Sequence, residues 1–170
     1  MTSPPMRLHI VMLGSRTTIA GTVYGTIVVL ATLTAGARAY RGNLWELIAI
    51  AGSTVFVLWV AHVYSHGLGE SVAEGRRLSL SELGVIARRE LAILLAAVPV
   101  LAAVALGAVG ILEAATALWV AVGVGVVSLT AQGIRFARLE QLSRSGAAIT
   151  IGLNLALGLA IVGLKAAVTH

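Results

Sequence analysis

Apolar blocks long enough to cross a bilayer, joined by short connections that hold nearly all of the charge, dominate this chain. A membrane-spanning helix needs roughly 20 predominantly apolar residues. Hydropathy places such spans at about 17–37, 45–66, 91–110, 114–131 and 146–168. Only 11% of the residues are charged, against about 25% in a soluble domain, so burial in a water-soluble core is excluded. The blocks do not alternate apolar and polar residues as barrel strands do. The expected fold class is an all-α membrane protein: five transmembrane helices in one multi-pass domain over residues 1–170.

Orientation follows from the basic residues of the connections. Arg7, Arg16, Arg76, Arg77, Arg88, Arg89, Arg135, Arg138 and Arg144 fall on one side, Arg38, Arg41 and Lys165 on the other. The richer side is expected in the cytoplasm, with the N-terminus there, the C-terminus outside and the cell membrane as location. The net charge of +5 is spread between apolar blocks. It suits topology and anionic lipid better than nucleic acid, for which no basic-aromatic module is visible. Cysteine and aspartate are absent, which removes thiolate metal sites and many magnesium arrangements. No cleaved signal peptide is expected at the N-terminus.

Local signals punctuate the spans. Gly21 and Gly25 form a G-x-x-x-G pair in the first span, which permits close helix approach and predicts a homodimer contact. Trp45 and Tyr40 suit one interface and Tyr64 the other. The longest polar connection runs from Gly67 to Glu90. In it Ser79 and Glu82 have capping-box spacing, and Leu80, Leu83, Ala87, Leu91 and Leu94 follow at helical steps. An amphipathic helix is therefore expected to start there and to run straight into the third span, where Pro99 should kink it. Asn154 in the last span is expected to hydrogen-bond between helices. Glu46 and Glu113 read as cap or surface carboxylates.

One segment departs from a lipid-facing pattern. His62, His66, Glu70 and Glu74 recur every fourth residue, which places them on one helix face with neighbours about 5–6 Å apart. Ionisable groups at membrane depth are costly and mark ion paths or partner contacts. Imidazole ligates transition metals and titrates near physiological pH, so these four residues are the candidate metal ligands. The bland alternative seats both histidines among headgroups. Gly67 and Gly69 weaken the helix that carries the stripe, or allow a hinge or close approach. Glu90 and Glu140 lie on the same expected side; pairing with Arg88, Arg89, Arg138 or Arg144 is the simpler reading for them.

Ser65-His66-Gly67-Leu68-Gly69-Glu70-Ser71-Val72 resembles the S-M-A-x-G-E-Y-[VLI] segment of the vacuolar iron transporter family. The resemblance implies five spans, a cytoplasmic N-terminus, dimers packed through the first helix, and a metal path in which His66 takes the place of a ligating methionine and Glu70 that of the family's glutamate. Tyr24-Gly25 stands where the family carries an Asp-Gly pair, so that carboxylate is missing. The implied activity is transport of divalent iron or manganese against protons, the metal being substrate, with no tightly bound cofactor. The alternative is a non-transporting scaffold or regulatory protein acting through its arginine-rich face. No enzyme is expected: G-x-S-x-G, Walker and H-E-x-x-H patterns are absent. Ser65 and His66 diverge by about 100° on a helix and cannot act as a pair.

Overall fold

The computed structural model describes the backbone of residues 16–169 except 38 and 41, and side chains over 18–160 and at 163 with the same exceptions. Arg7, Arg38, Arg41 and the side chains of Arg16 and Lys165, on which part of the orientation expectation rests, lie outside the described residues. Six helices follow in order: α1 (Arg16–Gly36), α2 (Leu44–Glu74), α3 (Leu80–Arg89), α4 (Leu91–Ala108), α5 (Ala114–Leu139) and α6 (Arg144–Thr169). No strand occurs among the described residues. Four stretches are long and apolar enough to cross a membrane: α1, α2, α3 leading into α4, and α5. Of α6, the stretch Arg144–Ala160, where the described side chains are continuous, is apolar. The chain is thus a multi-pass membrane protein with four such spans and a further apolar helix, α6.

Short connections force neighbouring helices to run antiparallel, so two ends of the bundle are defined. At one, Leu33 and Thr34 of α1, with Ala37 just beyond it, meet Leu118 and Val122 of α5. At the other, Ile19 shares a groove with Gln132 and Thr150, and Thr18 with Arg88 and Arg89. This second, arginine-rich end also holds the last turns of α2, all of α3 and the start of α6. Helices α1 and α4 lie at the centre, α2 packs on both, and α5 joins them to α6. The core is drawn from all four spans: Val29, Leu30 and Leu33, Leu47, Ala51 and Val55, Ile93, Ala97 and Val100, and Ala121, Val122 and Leu129. The outward faces present Phe56, Val57, Val60, Leu95, Val98 and Val127, as lipid-facing surfaces should.

Lipid tails are as apolar as leucine, so burial of apolar area does not drive spans together; close packing of small residues does. At Gly25 a Cβ would lie 2.3 Å from the backbone oxygen of Ile93, and at Gly21 one would lie 3.2 Å from the Ala92 Cβ. The G-x-x-x-G face expected to pair two copies is therefore filled by α4 of the same chain. Two hydroxyls of α1 are satisfied on their own helix, Thr22 and Thr26 donating to the carbonyls of Thr18 and Thr22, each at 2.8 Å, whereas the buried Thr34 hydroxyl has no partner.

Three boundaries differ from expectation; one is the end of α5, which runs past Ala131 to Leu139. Helix α2 continues eight residues past His66 to Glu74, through Gly67 and Gly69. Docking of α3 outweighs the cost of these glycines, about 1 kcal/mol each. The Leu83 side chain occupies the space a Cβ on Gly67 would need, at 2.7 Å, and the Trp59 indole donates to the Ala87 carbonyl at 3.1 Å. Gly69 has nothing near it, so the close-approach reading holds for Gly67 alone. Gly75 stops the helix at φ 64°, with the amide of Arg76 bonded to the Ser71 carbonyl. The expected uninterrupted run into the third span breaks at Glu90, which caps both α3 and α4. The capping box of Ser79 and Glu82 forms as its spacing requires, and α4 continues through Pro99.

Candidate functional site at the arginine-rich end

Because α2 is continuous, the four-residue spacing does put His62, His66, Glu70 and Glu74 on one face. They do not converge. His62 and Glu74 lie three turns apart, roughly 18 Å along the axis, whereas the ligands of one transition-metal ion all lie about 2.0–2.3 Å from it. Among the described residues no group of three or more His, Cys, Asp or Glu side chains is placed to hold a metal ion. The expected four-residue metal site is not formed as one ligand set.

The imidazoles instead continue an aromatic ladder. The Tyr24 ring lies 5.0 Å from that of His62 between centroids, tilted by 43°. His62 lies 6.1 Å from His66, with the ring planes within 26°. His62 is half-buried and His66 exposed. Tyr24 faces both this ladder and a groove between α1, α5 and α6.

Both carboxylates of the stripe face arginine. Glu70 Oε1 lies 3.6 Å from Arg89 Nη1, and Glu74 Oε2 lies 2.6 Å from Arg76 Nη2. The same Arg76 forks onto Glu82, with contacts of 3.1 and 2.5 Å. On the amphipathic α3, outside the apolar α4, the Glu82 carboxyl is held down to about 2, first by the Arg76 hydrogen bond and then by the Ser79 amide. Exposed ion pairs contribute about 0–1 kcal/mol to stability, so their weight here is on charge. An arginine cannot lose its proton, and each one beside a carboxylate cancels the attraction that carboxylate offers an incoming cation.

The remaining arginines are in excess. Arg77, Arg88, Arg135, Arg138 and Arg144 make no ion pair among the described residues. Glu90, expected to pair with Arg88 or Arg89, is instead buried at 8% exposure where α3 meets α4, without an ion pair to either. Glu140 caps the end of α5. Asn43 caps α2, its side-chain oxygen accepting from the Glu46 amide at 3.2 Å, and the Glu46 carboxylate joins the cap by accepting from the Asn43 side-chain amide at 3.4 Å.

Two cavities flank α1 at this end. The first, about 410 Å³, is lined by Tyr24, Ile27, Gln132, Phe136, Thr150 and Asn154, with Ile19, Ala20 and Val23. The Gln132 Oε1 is buried there without a hydrogen-bond partner. Asn154 donates to the Thr150 carbonyl of its own helix at 3.0 Å, so it does not bridge helices as expected. It does abut α5, filling the space beside Gly133. The second cavity, about 500 Å³, is lined by Thr18, Thr22, Arg88, Arg89, Leu91, Ala92 and Leu95. Sequence reasoning passed over Gln132 because the fourth span was expected to end at Ala131. It treated Arg88 and Arg89 as topology signals and as partners for Glu90 or Glu140, not as the lining of a cavity. The chain matches no family model, no curated protein and no solved structure.

Proposed function

We propose that this membrane protein works by holding an anionic partner at its arginine-rich end, as a non-transporting scaffold or regulatory protein, and that this end faces the cytoplasm. The observation that carries the reading is the charge pattern. Glu70, Glu74 and Glu82 are engaged by Arg89 and Arg76, while Arg77, Arg88, Arg135, Arg138 and Arg144 make no ion pair among the described residues. Such a surface attracts anions and raises a barrier to cations. The test uses the protein in neutral phosphatidylcholine nanodiscs and polyglutamate as probe. Polyglutamate is expected to bind at low salt, to weaken as salt screens the charges, and to bind at least about tenfold more weakly once Arg135, Arg138 and Arg144 are all glutamine, a loss of about 1.4 kcal/mol. Absence of binding at low salt overturns the reading.

A second reading, transport of iron or manganese exchanged against protons, is favoured by the juxtaposed His62 and His66 rings and by the likeness of Ser65–Val72 to the vacuolar iron transporters. In it His66 meets the ion first and His62 ligates deeper, while Glu70 and Glu74 leave their arginines to accept protons. Manganese uptake into proteoliposomes above that of protein-free vesicles, abolished by His66→Ala with Glu70→Ala, would establish this reading in place of the first.

A further inference from the structure

We infer that the cavity between α1 and the α3–α4 junction is a binding site for a phosphate-headed amphiphile. The inference rests on the anion-binding reading above and gives it a site and a ligand class. The cavity combines two opposed chemistries. Arg88 and Arg89 supply guanidinium forks at its rim, and Ala92, Leu91 and Leu95 supply an apolar wall that runs along α4 toward the membrane interior. Arg88, Leu91, Ala92 and Leu95 are three, four and seven residues apart, which keeps them on one side of the chain as it passes from α3 to α4. A headgroup at the arginines therefore continues into a chain lying along the leucines. Leu91 and Leu95 are exposed at 38% and 64%, so this wall opens outward, where lipid is found.

Guanidinium matches phosphate oxygens through two parallel hydrogen bonds, and basic pockets between spans bind acidic headgroups. Arg88 has no ion pair among the described residues, and Arg89 has only the 3.6 Å contact to Glu70, longer than a hydrogen bond. Glu70 thus competes loosely with a ligand for Arg89. The Thr22 hydroxyl gives its proton to the Thr18 carbonyl, so the arginines carry the contact to the anion. The buried carboxylate of Glu90, next in sequence, sits outside the cavity lining.

The test is native mass spectrometry of the full chain released from detergent after equilibration with phosphatidylglycerol or phosphatidylcholine. A retained phosphatidylglycerol adduct is expected, with phosphatidylcholine retained less. Arg88→Gln with Arg89→Gln is expected to reduce the adduct at least about tenfold, since it removes the charge-assisted hydrogen bonds to the phosphate. Both arginines are exposed, so the variant keeps the fold, which its melting temperature checks. Glu70→Gln is expected to raise retention by freeing Arg89. Replacing Arg135, Arg138 and Arg144 with glutamine is expected to leave the adduct intact. Inorganic phosphate separates the two sources of the anion: displacement of the lipid only at large excess supports an amphiphile, whereas equal affinity overturns the lipid and leaves free phosphate as occupant. An adduct unchanged in the double variant overturns the site. Polyglutamate binding without any such adduct would do the same while leaving the anion-binding reading in place.

Discussion

Gly25→Ala is expected to prevent α1 from seating on α4 and to lower stability by about 3 kcal/mol or more. A Cβ there would stand 2.3 Å from the Ile93 backbone oxygen and 3.0 Å from its carbonyl carbon. A clash with a side-chain tip relaxes by rotation; this one is with the backbone, so the two central helices must separate. Overpacking a core usually costs about 1–3 kcal/mol, and the rigidity of this obstacle puts the change at or above the upper end. Helix separation also loosens the neighbouring contact of Gly21 with Ala92. Thermal unfolding in detergent, followed by circular dichroism and by aggregation, measures the loss. Ile93→Ala added to Gly25→Ala is expected to give no rescue, because the obstructing atom is main chain. Recovery in that double variant would place the contact on the side chain instead.

Leu47→Ala is expected to destabilise the packing of α2 on α1 by roughly 2 kcal/mol, near the low end of the 2–5 kcal/mol range for buried leucine truncations in water-soluble cores. Leu47 is 0% exposed, and its Cδ1 fills the space beside Gly36, where a Cβ would meet it at 2.6 Å. The low end applies because the separated helices remain in an apolar bilayer, so the transfer part of the loss is small and the lost dispersion contacts dominate. Unfolding in mixed micelles on titration with a denaturing detergent measures it. The control is Val57→Ala on the lipid-facing side of α2, where Val57 is 65% exposed, and it should change stability by less than about 0.5 kcal/mol. Equal losses at the two positions would contradict the assigned packing face.

The sequence made the apolar spans legible because membrane insertion depends on length and hydropathy, both local quantities. The capping box at Ser79 and Glu82 and the Glu46 cap were legible for the same reason: each is a contact three residues apart. What spacing left open were properties decided by distant partners. Gly21 and Gly25 announce close approach but not which helix approaches, and α4 takes that face. The ends of α2 and α5 were placed too early, since helical hydrogen bonding does not stop where hydropathy falls. Gly67 read as a weak point, a hinge or a place of close approach, and Leu83 of α3 decides for the last. The stripe shows the same divide most clearly. Its spacing along α2 fixed a common face, and its length already forbade a common ion. Nothing in the spacing disclosed that Arg89 and Arg76, from the following connection and helix, would turn toward Glu70 and Glu74.

The central claim is that this end of the bundle repels cations because arginine has taken the stripe's carboxylates. The most direct measurement observes the imidazoles themselves. In protein labelled with nitrogen-15 only at histidine and held in a neutral bilayer mimic, manganese is added while the His62 and His66 ring resonances are followed, assigned by His62→Ala and His66→Ala. The account predicts that both resonances stay sharp at sub-millimolar manganese, in wild type as in Glu70→Gln. Paramagnetic broadening of both rings at that concentration, lost in either histidine variant, would contradict it.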